Sequence, residues 1–190
     1  TMSMLTSARS LLLLLGESDK AIRHFALKRL NAVVDDLWYE MPIYLRTLEE
    51  IVETTPEVDD VRRLAALLCS RVYFHLGQYS DSIAFALHAG SLFTAMPRCA
   101  YSDTLLSAII DLYVANRESG EDSDPRVVAI FDHVASTWTV ENSSLVSGRE
   151  IIGFTLRARR EDLLDRVLST HISSAKSTAL TTSRQTLTAH

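Results

Sequence analysis

Histidine side chains are the groups in this 190-residue chain best suited to bind a metal ion or to transfer a proton. The chain contains His24, His75, His88, His133, His171 and His190. None of them forms a His-x-x-x-His pair or stands at zinc-peptidase spacing from a glutamate, so the pattern predicts no metal site and no cofactor. His75, two residues before a glycine, is instead expected to be a hydrogen-bonded residue of the packed interior.

Carboxylates and hydroxyls could carry acid–base or nucleophilic catalysis. Asp35 and Asp36 are adjacent on a predicted helix, where their side chains point about 100° apart and do not converge as a catalytic pair must. We interpret them as part of a solvated helix face. The serines lack a Gly-x-Ser-x-Gly motif, and the glycines form neither a phosphate loop nor a dinucleotide fingerprint. The sequence therefore predicts a protein that is not an enzyme and has no small-molecule substrate.

Charge and cysteine content exclude further classes of protein. The net charge of −5 and the isoelectric point near 5.7 argue against binding to nucleic acid or to an anionic membrane surface. The apolar run at residues 11–15 is too short to cross a bilayer, and we interpret it as part of a first helix that ends at Gly16. Cys69 and Cys99 form no disulfide framework, which favours a buried thiol at Cys69 and a reducing compartment.

Apolar residues recur at three- and four-residue intervals along most of the chain, which predicts a succession of helices. Ser18 or Asp19 is expected to cap the second helix, and Pro42 is expected to force a break or a restart of the helix. A threonine hydroxyl and Pro56 are expected to begin a later helix whose apolar part, at residues 61–76, should be central. Because glycine and proline are scarce, the fold class is predicted to be all-α, with stacked antiparallel helix pairs as in an α-solenoid.

The sequence of residues 72–93 predicts a hairpin of two short helices with its turn at Gly77. The second half of this stretch resembles the second half of a tetratricopeptide repeat: the glycine permits a tight turn and Tyr79 packs at its edge. Small side chains that let the helices approach closely follow at Ser82, Ala86 and Ala89. The first half fits the repeat poorly and no second copy follows, so the stack is expected to be only partly tetratricopeptide-like.

Three stretches resemble, in order, the N-terminal helical region of one protein family, and they lie at residues 25–41, 70–93 and 150–168. The most telling pattern is Leu-Asn-x-x-Val-x-x-x-Trp at residues 30–38. Next are the turn Tyr-Phe-His-Leu-Gly at residues 73–77 and the pattern Ala-Gly-x-Leu-Phe at residues 89–93. The family is that of the largest non-ATPase subunit of the 26S proteasome regulatory particle, and the resemblance extends over residues 8–168.

This resemblance implies a non-catalytic scaffold subunit of the regulatory-particle base, cytoplasmic and nuclear, that supports ubiquitin-dependent protein degradation. Its implied partners are other regulatory-particle subunits. A rod-like helical domain is expected at residues 1–172 as part of a longer protein, with a Ser/Thr-rich tail or marginal helix at residues 173–190. Structural roles are expected for Asn31, Trp38, Tyr73, Leu76, Gly77, Tyr79, Ala86, Ala89, Gly90 and Phe93. Large side chains expected to be mostly buried are Trp38, Tyr73, Leu76, Phe85, Leu92 and Phe93.

The basic cluster of Arg157, Arg159 and Arg160 has two interpretations. It is either an exposed cluster at the C-terminal end of a helix, where the helix dipole favours positive charge, or an interface that contacts an acidic surface of a partner. The function also has an alternative, a free-standing tetratricopeptide-like adaptor that grips a peptide or client protein in a helical groove. That alternative requires several true repeats, of which the sequence contains part of one.

Overall fold

The computed structural model describes residues 7–140 together with Leu156, Arg157, Glu161 and Asp165. Within residues 7–140 the chain forms eight α-helices and no strand, which confirms the predicted all-α fold class. The helices are α1 (Arg9–Leu13), α2 (Lys20–Leu37), α3 (Leu45–Thr54), α4 (Asp60–His75), α5 (Tyr79–Ala89), α6 (Ser91–Thr94), α7 (Ala100–Ser119) and α8 (Pro125–Val140). Short 3₁₀ turns occupy Leu14–Gly16, Trp38–Glu40 and Pro42–Tyr44.

The chain divides into two compact units, Thr1–Ile109 and Ile110–His190, with the boundary inside α7. In the second unit, α8 packs against the C-terminal part of α7. The buried rings of Tyr113 and Phe131 lie 4.2 Å apart between centroids. Ile130, which precedes Phe131 in α8, is also buried. None of the described helices is both long and apolar enough to cross a membrane.

Helix α4 lies at the centre of the first unit and packs against α2, α3 and α5. Its buried residues are Val61, Ala65, Ala66, Leu67, Leu68, Cys69, Ser70, Arg71 and Val72. From Ala65 to Val72 the buried run is unbroken, and a run of this length covers every side of a helix, whereas a surface helix buries only one stripe. The prediction that the apolar helix at residues 61–76 is central is confirmed.

Aspartate side chains determine where α2 and α4 begin. Asp19 Oδ1 accepts a hydrogen bond from the Ala21 N–H at 2.7 Å, and Asp59 Oδ1 accepts one from the Val61 N–H at 2.9 Å. The Lys20 ammonium lies 2.7 Å from Asp59 Oδ2. Asp59 accepts hydrogen bonds from the Lys20 ammonium and from the Val61 N–H, and these two bonds hold the pKa of its carboxyl below the ordinary value. Of the two caps predicted for α2, the structure uses Asp19.

The two prolines before α3 and α4 act differently. Pro42 opens a 3₁₀ turn and α3 begins at Leu45, so the predicted break is confirmed. Pro56 does not begin α4, and that prediction is wrong: its carbonyl accepts the Asp59 N–H at 3.0 Å in a turn, and the helix starts at Asp60. The carboxylate of Asp59 caps this end, and its charge also complements the positive end of the helix dipole.

Candidate interaction site

The turn between α4 and α5 is made by Gly77, which has a left-handed backbone with a φ of 74°. The Gly77 N–H donates to the carbonyl of Phe74 at 3.0 Å, and the Gln78 N–H donates to the carbonyl of Tyr73 at 2.9 Å. This pair of bonds is the Schellman motif, which closes a helix with a residue at positive φ. The predicted turn at Gly77 is confirmed, and α5 packs back against α4.

Serine hydroxyls on facing positions join α4 to α5 by hydrogen bonds. Ser70 Oγ donates to the carbonyl of Ser82 at 2.6 Å, and Ser82 Oγ donates to the carbonyl of Ser70 at 2.7 Å. Since the single hydroxyl proton of Ser70 is used, the Tyr101 hydroxyl, 2.8 Å away, donates to Ser70 Oγ. Burial raises the pKa of Tyr101, so the phenol keeps the proton that it donates. These three buried side chains connect α4, α5 and the start of α7.

Several residues predicted to hold the helix pair are buried. Ala86, Ala89 and Phe93 lie in the core, and Gly90 ends α5 with a φ of 55°. Small side chains at Ala86 and Ala89 leave room for α5 to lie close against α4, as the tetratricopeptide-like pattern requires. Phe93 packs edge to face on Tyr101, with 5.8 Å between ring centroids.

The predicted burial of Leu76 is wrong, since its side chain is 39% exposed. Leu76 is the C-cap residue of α4, and its side chain therefore lies beyond the packed faces of that helix. Four others of the predicted set are partly rather than fully buried, namely Trp38, Tyr73, Phe85 and Leu92. Tyr73 and Phe85 nevertheless join α4 to α5, because their rings are stacked with centroids 5.6 Å apart.

Five rings form a continuous row across the end of α2, the end of α4 and the start of α5. In spatial order they are Tyr39, Trp38, His75, Phe74 and Tyr79, and we call them the aromatic row. Successive ring centroids lie 6.5, 5.4, 6.0 and 5.6 Å apart. The His75 and Trp38 rings are stacked with only 6° between their planes, whereas the other neighbours meet at steep angles.

A polar cluster that contacts the aromatic row at His75 connects α2 to α4 through Asp35. Asp35 Oδ2 lies 2.6 Å from Arg71 Nη2, and Asp35 Oδ1 lies 3.2 Å from His75 Nε2. The buried Arg71 also donates to the carbonyl of Asn31. Asn31 Nδ2 in turn donates to the carbonyls of Leu27 and Leu64, each at 3.0 Å. Asp35 is therefore a bridging residue as well as a surface one, and the hydrogen bond predicted for His75 is confirmed.

The chemistry available to these groups is that of contact between helices. In residues 7–140 and the few described residues beyond, no three His, Cys, Asp or Glu side chains are placed to hold a metal ion. The polar groups of the site bind backbone carbonyls and one another, and their partners lie on neighbouring helices. Such an arrangement fixes the positions of surfaces, and we interpret it as the frame of an interaction site.

Comparison with known proteins identifies the family of this chain. A family model described as the N-terminal domain of the 26S proteasome subunit RPN2 matches residues 6–187. The chain belongs to this RPN2 N-terminal family. The resemblance seen in the sequence is therefore confirmed.

Curated relatives of the RPN2 family are similar over most of this chain. The 26S proteasome non-ATPase regulatory subunit 1 homolog B of Arabidopsis thaliana is 33% identical over 172 residues, 87% of this chain and 17% of that protein. The non-ATPase regulatory subunit 1 of Drosophila melanogaster is 32% identical over 167 residues, 83% of this chain and 16% of that protein. The regulatory subunit RPN2 of Saccharomyces cerevisiae is 29% identical over 179 residues, which cover 88% of this chain and 18% of that protein. The chain thus spans less than a fifth of these relatives.

The basic cluster of this RPN2-family chain is described only at its first residue. Arg157 is exposed, and its Nε lies 3.1 Å from Glu118 Oε1. Arg159 and Arg160 lie outside the described residues, as does the predicted tail at residues 173–190. A contact between this cluster and an acidic partner stays a prediction.

Arg71 is a residue of the site that was not predicted from the sequence. It lies in the apolar run of α4, directly after Ser70, and both side chains are buried. A charged residue inside an apolar helix signals a paired partner, because an unpaired buried charge is costly. That signal was present in the sequence, but it did not identify Asp35, 36 residues earlier, as the partner.

Replacing Gly77 tests the turn that presents the aromatic row. We expect Gly77→Val to lower the free energy of unfolding by more than about 1 kcal/mol, because a side chain at positive φ crowds the backbone. Space is not the cause, since a Cβ at Gly77 meets no atom within 4 Å. Gly16→Val is the control, because Gly16 has equal space and no positive φ. Thermal unfolding measures both variants, and equal losses would contradict the backbone explanation.

Proposed function

We propose that this chain is a non-catalytic scaffold segment of a 26S proteasome regulatory-particle subunit. The observation that carries the proposal is the RPN2 N-terminal family match along residues 6–187. The relatives are named 26S proteasome non-ATPase regulatory subunit 1 in a plant and an insect, and 26S proteasome regulatory subunit RPN2 in fungi. A segment of a regulatory subunit with this family membership supports assembly of the particle, and through it ubiquitin-dependent protein degradation.

The physical character of the described helices supports a scaffold. Helix α4 is enclosed by α2, α3 and α5, and the buried Arg71 and Ser70 are committed to internal hydrogen bonds. These bonds fix each helix relative to the next, which keeps an exposed surface in a constant shape. A rigid surface loses little conformational freedom when a partner binds, and such preorganisation favours stable assembly.

The partners that we propose are other subunits of the regulatory particle, in cytoplasm and nucleus. The scaffold is favoured over a free peptide adaptor because the tetratricopeptide-like turn at Gly77 occurs once in the sequence. Peptide-binding arrays of that kind need stacked repeats to form their concave groove. The family match is to a subunit of the proteasome, which favours the scaffold over the adaptor.

The test is affinity purification of the tagged protein that contains this chain, expressed in cells of its source organism. We expect base and lid subunits of the regulatory particle to co-purify in constant ratio, as identified by mass spectrometry. A protein carrying the same tag on an unrelated helical domain is the control. Recovery of a single chaperone or client, without regulatory-particle subunits, would overturn the scaffold proposal and favour the adaptor.

A further inference from the structure

We propose that the aromatic row is a docking surface for a basic, partly apolar segment of a neighbouring subunit, one that places an arginine side chain against the exposed tyrosines. The proposal rests on the proposed function, because it specifies which surface of the scaffold a partner contacts and what chemistry that partner has. The two ends of the row, Tyr39 and Tyr79, are 60% and 51% exposed. Leu76 adds an apolar side chain next to His75 in the chain.

Contiguity distinguishes this surface from scattered apolar residues. Single exposed apolar side chains are normal on soluble proteins, whereas connected ones mark contact sites. In the row each ring contacts the next, so the exposed rings at the two ends belong to one surface, which the 3₁₀ turn after α2 forms with α4 and α5. Tyrosine and tryptophan supply large, rigid contact areas that lose little freedom on binding, and they are enriched where interfaces derive most of their affinity.

Charge decides the chemistry of the occupant. The two segments that build the row, residues 35–43 and 72–83, contain the carboxylates Asp35, Asp36, Glu40 and Asp81 and neither lysine nor arginine. Arg71, one residue before the second segment, is buried and paired with Asp35. Asp36 and Asp81 are exposed and form no ion pair with another described residue. An anionic ligand or surface would be repelled, and a cationic segment attracted.

Arginine matches this combination better than any other side chain. Its planar guanidinium stacks on aromatic faces and also pairs with carboxylates, so it suits a surface that combines the exposed rings of Tyr39 and Tyr79 with exposed carboxylates. Apolar residues beside the arginine would cover Leu76 and the edge of Tyr79. The proposed occupant is therefore a segment with arginine next to apolar residues, contributed by a different subunit.

Photo-crosslinking in the assembled particle tests the occupant directly. A photoreactive phenylalanine analogue replaces Tyr39 in the full-length protein, and the same analogue at Phe25 is the control. Phe25 is also exposed, but it has no ring contact with the row. We expect a cross-link from position 39, absent from position 25, to a peptide of another regulatory-particle subunit that contains arginine beside apolar residues. A cross-link to a second copy of this chain, to an acidic segment, or to nothing would overturn the proposal.

Charge reversal provides a second, independent measurement. We expect Asp36→Lys combined with Tyr39→Ser to reduce co-purification of the cross-linked subunit about tenfold, since cation–π and ion-pair contributions together approach 1.4 kcal/mol. Glu17→Lys combined with Phe25→Ser changes charge and exposed aromatic area equally elsewhere and should leave recovery unchanged. Circular dichroism should show all variants folded, because the replaced side chains are exposed.

The outcomes separate this proposal from the proposed function. If wild-type protein recovers regulatory-particle subunits and the row variants recover them equally well, the docking surface is refuted and the scaffold role stands. If wild-type protein recovers no regulatory-particle subunit, both are refuted. Loss of one subunit with the row variants alone, at unchanged recovery of the remaining subunits, supports both.

Discussion

Leu68→Ala should lower the free energy of unfolding by about 2–5 kcal/mol, the range observed when a fully buried leucine is truncated. Leu68 is 0% exposed and lies in α4, which packs against α2, α3 and α5. Truncation removes apolar contacts and leaves a cavity, which the surrounding helices could close only by shifting inward out of their packed positions. Urea-induced unfolding followed by circular dichroism measures the loss as a lower transition midpoint at unchanged slope.

Leu76→Ala is the matched control for that variant. It removes the same atoms eight positions later in the chain, where the side chain is partly solvated beyond the end of α4. We expect a loss below about 1 kcal/mol, because little apolar contact and no enclosed cavity are involved. Comparable losses for the two variants would contradict the central position of α4.

Ser70→Ala should lower the free energy of unfolding by about 1–3 kcal/mol, since it leaves the buried Tyr101 hydroxyl without an acceptor. Tyr101→Phe should cost less. It removes the donor, and Ser70 keeps both of its hydrogen bonds to Ser82. Ser70→Ala therefore leaves a polar group unpaired in the core, whereas Tyr101→Phe leaves none. Thermal and chemical unfolding of both proteins measures this asymmetry.

The double variant Ser70→Ala/Tyr101→Phe completes the cycle. We expect it to be more stable than the sum of the single losses predicts, with a coupling energy of about 0.5–3 kcal/mol, because neither partner is then left unpaired. The control cycle combines Ser70→Ala with Tyr79→Phe, which lies on the exposed surface. Strict additivity for Ser70 and Tyr101 would show that the hydroxyl contact contributes nothing to stability.

Local chemistry made much of the fold predictable. The recurrence of apolar residues predicted the helices, and the aspartate before α2 and the glycine after α4 are residues that favour helix ends for physical reasons. Asp19 and Gly77 occupy those positions in the structure. Pro56 was misread because two acceptable helix starts, Pro56 and Asp59, lie three residues apart, and position alone does not rank them.

Long-range partners were not predictable from the sequence. Ser70 and Tyr101 are 31 residues apart, and Asp35 and Arg71 are 36 residues apart, so no local pattern links either pair. Only the packing of α4 against its neighbours brings these groups together. The exposure of Leu76 was not predictable either. Its apolar side chain indicated burial, but its position after the last turn of α4 leaves it exposed.

The aromatic row was only partly visible in the sequence. Trp38 and Tyr79 were expected to have structural roles, and His75 was expected to be hydrogen-bonded, each within its own segment. The row arises because α2 and α4 end on the same side of the unit, which places Trp38 on His75. Relative helix position depends on the summed packing of many side chains, and it has no signature in a single stretch of residues.

The enclosure of α4 also makes the two cysteines differ in how fast they react with an alkylating reagent. Cys69 is buried within that helix, and burial raises the pKa of its thiol, whereas Cys99 is exposed. Only the accessible thiolate attacks an alkylating reagent, so Cys99 reports the intrinsic reaction rate while Cys69 reacts only when α4 transiently separates from its neighbours. The ratio of the two labelling rates therefore measures how often the centre of the first unit opens.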